Sequence, residues 1–126
     1  MLKKCQKSCS KKTNLQLFQA CAEDLPFADN SFDIVYHIGG INFFSDKAKA
    51  MQEMLRVAKP GTKIMISDET ADYVEQQYKK NHFSKDYFKD ATVDLGEIEA
   101  AIPAGVKKKE LKLLWDGKFY ALTFRK

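Results

Sequence analysis

The sequence predicts an α/β fold in which parallel strands are joined through a helix and an antiparallel hairpin closes the sheet. Three observations predict it. Phe32 to Ile38 and Lys63 to Asp68 are near-continuous apolar runs of strand length, the pattern of parallel strands buried on both faces. Between them Ala50, Met51, Met54, Leu55 and Ala58 recur at helical spacing and mark one buried helix face. Near the end, Glu110 to Trp115 and Lys118 to Arg125 alternate apolar and polar residues around Asp116-Gly117, a hairpin signal.

The elements follow in order. Residues 2–12 are polar, lysine-rich and helix-compatible, and Asn14 breaks them. Leu15 to Cys21 reads as a short strand. Leu25 to Ser31 is turn-like, because Pro26 pushes Leu25 out of the helical region and Asp29-Asn30-Ser31 is turn chemistry. Gly39-Gly40 ends the strand that begins at Phe32. Asp46, with Ser45 as a rival, caps a helix running through Ala58, and Pro60-Gly61 stops it. After the second buried strand, Ala71 to Lys80 is helical, residues 81–96 are aromatic-rich and irregular, and Leu95 to Ile102 is a short helix closed by Pro103-Ala104-Gly105. The order is β-β-α-β-α-α-β-β.

A chain of 126 residues fits one domain, 1–126, with a single core. Hydrophobic content of 44% and charged content of 30% are ordinary for a globular protein. No apolar run is long enough to span a bilayer and the first residues hold no apolar signal core, so a cytoplasmic location is expected and a membrane partner is not. Cys5, Cys9 and Cys21 are an odd set. Cys5 and Cys9 lie one helical turn apart, which allows a metal clip or a disulfide, but plain reduced thiols and no metal are the expectation. The net charge of +4 is uneven, with Lys3, Lys4, Lys7, Lys11 and Lys12 near the start. No aromatic residues interleave with them for bases to stack on, so a solvated helix face is expected rather than a nucleic-acid site.

Two segments carry more than a fold class. Ala22-Glu23-Asp24-Leu25-Pro26-Phe27-Ala28-Asp29-Asn30-Ser31-Phe32-Asp33-Ile34-Val35-Tyr36, followed by Glu53-Met54-Leu55-Arg56-Val57-Ala58-Lys59-Pro60-Gly61-Thr62-Lys63-Ile64, resembles the middle of a class I S-adenosylmethionine-dependent methyltransferase. The similarity is to the small-molecule type that includes the ubiquinone/menaquinone-biosynthesis C-methyltransferases. The resemblance implies a Rossmann-like sheet whose strands, numbered along the chain, lie in the order 3-2-1-4-5-7-6 with the last antiparallel. The sequence holds no Gly-x-Gly-x-Gly turn, so it corresponds to the later part of that sheet, truncated at the N-terminus with the first two strands missing. Residues 2–12 then match the helix after the second strand. The implied cofactor, in the complete protein, is S-adenosylmethionine, and the implied partner is a small-molecule methyl acceptor.

Candidate site residues sit at the carboxyl ends of the strands, where open α/β sheets bind ligands. By the resemblance, Cys21, Ala22 and Glu23 match the segment that meets adenine. Cys21 stands where the family has an Asp that accepts from the adenine amino group, and a thiol is a weak acceptor. Glu23 or Asp24 is a substitute, and the backbone of Ala22 can still serve. His37, Ile38 and Gly39 match the residues that pass the methionine part of the cofactor. His37 is the candidate base near the transfer site, with a core role as the alternative, and Gly39-Gly40 permits close backbone approach. Asp33 is read as architectural, and Glu53 and Arg56, three apart on one helix face, as a pair without catalytic meaning. Asp68 and Glu69 are neighbours on a strand, so they point to opposite faces and do not chelate. Tyr73, Tyr78, His82, Phe83, Tyr87 and Phe88 fall where the family places its substrate cover; they line an acceptor pocket or pack the sheet.

Two functional readings remain. The chain is part of a methyltransferase that acts on an unidentified small molecule and is inactive by itself, or it is a non-catalytic binding or regulatory module derived from that fold. In the family's sheet two strands lie between those matched by 15–21 and 32–38. Without them, either these strands pair directly or two copies pair through the exposed edges as a homodimer.

Overall fold

The structure is a computed structural model that describes residues 2–8, 14–79 and 94–126. Its elements are helix α1 (Leu2–Ser8), strand β1 (Val35–Ile38), a 3-10 turn (Ile41–Phe43), helix α2 (Lys47–Val57), strand β2 (Lys63–Glu69), helix α3 (Ala71–Val74) widening into a π-type segment (Glu75–Lys79), helix α4 (Leu95–Ala100), and strands β3 (Lys107–Leu114) and β4 (Phe119–Arg125). Cys9, Lys11, Lys12, His82, Phe83, Tyr87 and Phe88 lie outside the described residues, and of Tyr78 only the backbone is described.

The four strands form one sheet in the order β1-β2-β4-β3. β1 and β2 are parallel, with His37 opposite Ile66. β4 is antiparallel to both β2 and β3. The order equals positions 4-5-7-6 of the sheet that the resemblance implies. One face of β2 and β4 presents Ile64, Ile66, Leu122 and Phe124, all at most 1% exposed. This face packs with Met51, Met54 and Ala58 from α2 and its end, and with Ile98 and Ile102 from the region of α4. Both helices therefore lie on the same side of the sheet. The other side of β1 stays open, with Ile34, Tyr36 and Ile38 between 61% and 73% exposed.

α2 begins at Asp46, whose side chain accepts from the Lys49 N–H at 2.8 Å, as the sequence predicts. Its far end is closed by the chain's last residue. Lys126 Nζ donates to the Ala58 and Arg56 carbonyls at 2.9 and 3.3 Å, a cation set against the negative end of the helix.

Three expectations fail. No strand forms over 15–21: those residues are irregular apart from a single bridge between Cys21 and Asp24. Leu15, Leu17 and Phe18 are exposed, while Phe18 stacks edge-on against Phe27, and Phe27 against Phe32, each at 5.0 Å. A strand needs a neighbour to hydrogen-bond, and in the implied sheet the neighbour of this segment is a strand that the sequence does not contain. Direct closure of 15–21 onto β1 does not occur. The second failure is at the hairpin, where the connection is Trp115–Lys118 rather than Asp116-Gly117 alone. Trp115, Asp116 and Gly117 all have positive φ, and the Lys118 N–H returns to the Trp115 carbonyl at 3.2 Å, so Trp115 and Lys118 belong to the turn. The strand expected from Phe32 is shorter too: Phe32 makes one bridge with Ala58, and the ladder starts at Val35.

Arg56 does more than complete a helical pair. It meets Glu53 at 2.7 and 2.8 Å through Nε and Nη2, and it donates to the Phe27 and Leu25 carbonyls at 2.8 and 2.9 Å and to Asp29 at 2.7 Å. Glu53, 7% exposed, also accepts from the Leu25 N–H at 2.8 Å. One guanidinium thus ties the irregular stretch 25–29 to α2. Hydrogen bonds from Arg56, then from Leu25, hold the Glu53 carboxyl at about 2, against an ordinary value of 4.5, although burial opposes the shift. Because the folded value is depressed, the stabilisation is present above the ordinary value and lost as pH falls through the folded one. The melting temperature of the wild-type chain is therefore expected to fall between about pH 5 and pH 2 more steeply than that of Glu53→Gln. Parallel curves would show that this carboxylate contributes nothing.

Candidate methyl-transfer site

β1 runs into Gly39 and Gly40, whose φ values of 74° and 89° are both left-handed. A Cβ added at either position would meet nothing within 4 Å, so glycine is required here by backbone shape and not by crowding. The Gly39 N–H donates to the Ser67 carbonyl at 2.9 Å, continuing the β1–β2 ladder one step. Beyond it the turn is held by Asp68, which is 4% exposed. Its Oδ2 accepts from the Gly40 N–H at 2.9 Å, the Ile41 N–H at 3.0 Å and Asn42 Nδ2 at 3.2 Å, and its Oδ1 from the Glu69 N–H at 2.9 Å.

His37 lies on the helix-facing side of β1, half-buried, with its ring 4.9 Å from that of Phe44. Its Nε2 is enclosed and has no hydrogen-bond partner. Burial pushes the imidazole pKa below its ordinary 6.5, while the Asp68 charge and a backbone hydrogen bond at Gly39 pull it partly back. His37 is therefore mainly neutral near pH 7, the form that can accept a proton. Ile38 is 61% exposed on the opposite face.

Cys21 and Ala22 occupy a turn before the irregular stretch, and the Asp24 N–H donates to the Cys21 carbonyl at 3.2 Å. The Cys21 thiol is free and exposed. Glu23 is already occupied: it accepts from the Ser45 hydroxyl at 3.0 Å and the Asp46 N–H at 3.3 Å, tying this turn to the start of α2. Hydrogen bonds from its own backbone, then from Ser45 and Asp46, hold its carboxyl below the ordinary value. Asp33 pairs with Lys59 at 2.7 Å, at the end of β1 away from the glycines. On the other side of β2 from His37, a cleft of about 730 Å³ lies at the start of α3, lined by Thr70, Tyr73, Gln76, Leu95, Asp116 and Lys118.

Sequence reasoning dismissed Asp68 as half of a false chelate and did not single out Asn42 or Tyr120. A signal was present: Ile64, Ile66 and Asp68 share one face of a buried strand, so the carboxylate had to find partners inside.

The family model for a methyltransferase domain matches residues 1–66. The chain belongs to this methyltransferase domain family. Among relatives, the ubiquinone/menaquinone-biosynthesis C-methyltransferase of Idiomarina loihiensis is 47% identical over 53 residues, 42% of this chain and 21% of that protein. The Haemophilus ducreyi enzyme of the same name is 40% identical over 74 residues, 56% of this chain and 29% of that protein. The chain thus spans less than a third of the length of these relatives. An S-adenosylmethionine-dependent methyltransferase from Thermotoga maritima shares the fold with a TM-score of 0.68 at 19% identity, over 94% of this chain and 68% of that one. No helix among the described residues of this methyltransferase domain is long and apolar enough to cross a membrane.

S-adenosylmethionine is the cofactor that membership implies. The residues present fit one side of it: the uncrowded Gly39–Gly40 turn leaves room for a ligand, and the enclosed Nε2 of His37 is an unused polar atom beside that turn. Cys21 offers only a thiol on the adenine side. Because the glycine turn is uncrowded, Gly40→Ala is expected to destabilise the chain through backbone strain alone, by about 1–2 kcal/mol in urea denaturation. A loss several times larger would mean that the turn is packed.

Proposed function

We propose that this chain forms the acceptor side of an S-adenosylmethionine-dependent methyltransferase that acts on a small molecule. The Gly39–Gly40 turn carries the reading: it lies at the carboxyl end of a parallel strand, left-handed at both residues and fastened from below by Asp68. Methyl transfer is an in-line displacement, so the protein's tasks are to hold donor and acceptor collinear and to exclude water. When bound, the cofactor supplies an electrophilic methyl group. The Ala22 backbone and Cys21 would border its adenine, and His37, Ile38 and Gly39 its methionine part. His37, neutral near pH 7, would accept the proton that the acceptor gives up. The cleft before α3, with Tyr73 on its wall and across β2 from His37, is proposed to hold the part of the acceptor remote from the transferred methyl. The proposed setting is the cytoplasm.

The chain by itself holds no Gly-x-Gly-x-Gly turn. Isothermal titration of the 126-residue chain is therefore expected to give a dissociation constant for S-adenosylmethionine weaker than about 100 μM. The same chain behind a strand–glycine turn–helix–strand segment is expected to bind tightly and to turn the cofactor over on a metabolite panel, and His37→Gln to slow that turnover without lowering the melting temperature. Tight binding without turnover would favour the non-catalytic module, a reading supported by the exposed Cys21 and the occupied Glu23.

The partner proposed for the free edge of β1 is a second copy. Ile34, Tyr36 and Ile38 give β1 an exposed apolar face beside that edge, whereas the opposite edge strand, β3, carries Lys107, Lys108, Lys109 and Lys112 and is guarded by charge. Sedimentation equilibrium at about 100 μM should show a dimer, and Tyr36→Lys a monomer. A wild-type monomer at that concentration would exclude the partner.

A further inference from the structure

Among the described residues, three buried side-chain atoms have no hydrogen-bond partner: His37 Nε2, Asn42 Oδ1 and Tyr120 OH. They belong to three separate elements, yet each residue adjoins one carboxylate. Asn42 donates to Asp68 through its other amide atom at 3.2 Å. Tyr120 is the β4 residue opposite Asp68 in the ladder. His37 pairs with Ile66, two residues before Asp68 on the same face of β2, and it senses the Asp68 charge. Native interiors satisfy nearly all buried polar atoms, so unpaired atoms gathered around one residue call for an explanation, and a bound group is one.

We propose that Asp68 is the positioning residue of this site: its carboxylate fastens the Gly39–Gly40 turn to the end of β2 and keeps His37, Asn42 and Tyr120 gathered around it with polar atoms free for a bound group. The three donors on Oδ2 come from consecutive residues, Gly40, Ile41 and Asn42. They fix the height and tilt of the turn relative to β2. Without them the turn would keep only the Gly39 N–H bond to β2 and the packing of Ile41 in the core. The carboxylate is also the charged group that faces His37. The other neighbours identified for that ring are uncharged, the Phe44 side chain and the Gly39 backbone. Tyr120 stays a neutral phenol, its pKa pushed up by burial and then by Asp68. This inference deepens the methyltransferase reading, but it is tested without any ligand, so it can fail while that reading stands.

The test compares the wild-type 126-residue chain with Asp68→Asn by amide hydrogen exchange and by proton NMR of the His37 ring. In the variant, exchange at Gly40 and Ile41 is expected to speed up about tenfold or more, the loss of a charge-assisted hydrogen bond, while Ile66 and Leu122 amides keep their protection. The titration midpoint of His37 is expected to move down, because the charge that raises it is gone. Unchanged exchange at Gly40 and Ile41 overturns the proposal. So does equal acceleration across β2 and β4, which is general destabilisation, and so does an unmoved His37 midpoint. Should Asp68→Asn not fold, Asn42→Ala decides: loss of one of the three Oδ2 donors is expected to speed exchange at Gly40 and Ile41 while Ile66 and Leu122 keep their protection, and unchanged exchange overturns the proposal.

Discussion

Among the described residues β1 is hydrogen-bonded on one side only, by β2, and the grip at its carboxyl end comes from β2 as well. A strand in mid-sheet delivers its terminal loop from two neighbours; β1 delivers its loop from β2 alone. The ladder continues through Gly39 to Ser67, and the next grip is a side chain, Asp68, rather than a third strand. A buried carboxylate with a single peptide N–H partner would be costly, whereas this one accepts four hydrogen bonds. Satisfying that carboxylate and shaping the glycine turn are the same event.

A second charged group works at the opposite end of α2. Arg56 gathers carbonyls from Leu25 and Phe27 and carboxylates from Glu53 and Asp29, so a stretch without regular structure is held by side-chain hydrogen bonds instead of a ladder. Glu23 then fastens the turn before it to Ser45 and Asp46. The adenine-side residues Cys21 and Ala22 are thereby placed relative to α2, and α2 is placed on the sheet by Met51 and Met54. This route runs through helix packing, the route to His37 and Gly39 runs through β2, and the two meet in the stretch from Gly40 to Asp46, which Asp68 grips at one end and Glu23 at the other.

Much of this was legible in the sequence, for identifiable reasons. The apolar run at 63–68, the Asp46 cap and the Pro60-Gly61 stop are local signals that suffice where the element's partners lie within the chain, whereas the run at 32–38 pairs only from Val35 and is exposed on one face, not buried on both. The segment 15–21 has the composition of a strand, but strand formation is a property of a pair, and composition says nothing about whether the partner is present. The hairpin tip was placed two residues too narrowly because Trp115 adopts a left-handed conformation that its residue type does not advertise. Arg56 looked like half of a weak surface pair, since its reach back to residues 25–29 is a long-range contact invisible to helical spacing. Asp68 was misjudged by asking about its neighbour Glu69, when the informative comparison was with Ile64 and Ile66 on the same face.

The proposed cofactor crevice has the end of β1 and the turn at Cys21-Ala22 on one face. Amide correlation spectra of the labelled chain, titrated with S-adenosylmethionine to about 10 mM so that weak binding is visible, test it most directly. The account predicts shifts concentrated at Ala22, Gly39, Gly40 and Ile41, with the β3–β4 hairpin unmoved. Shifts confined to the hairpin, or no shifts anywhere at that concentration, would contradict it.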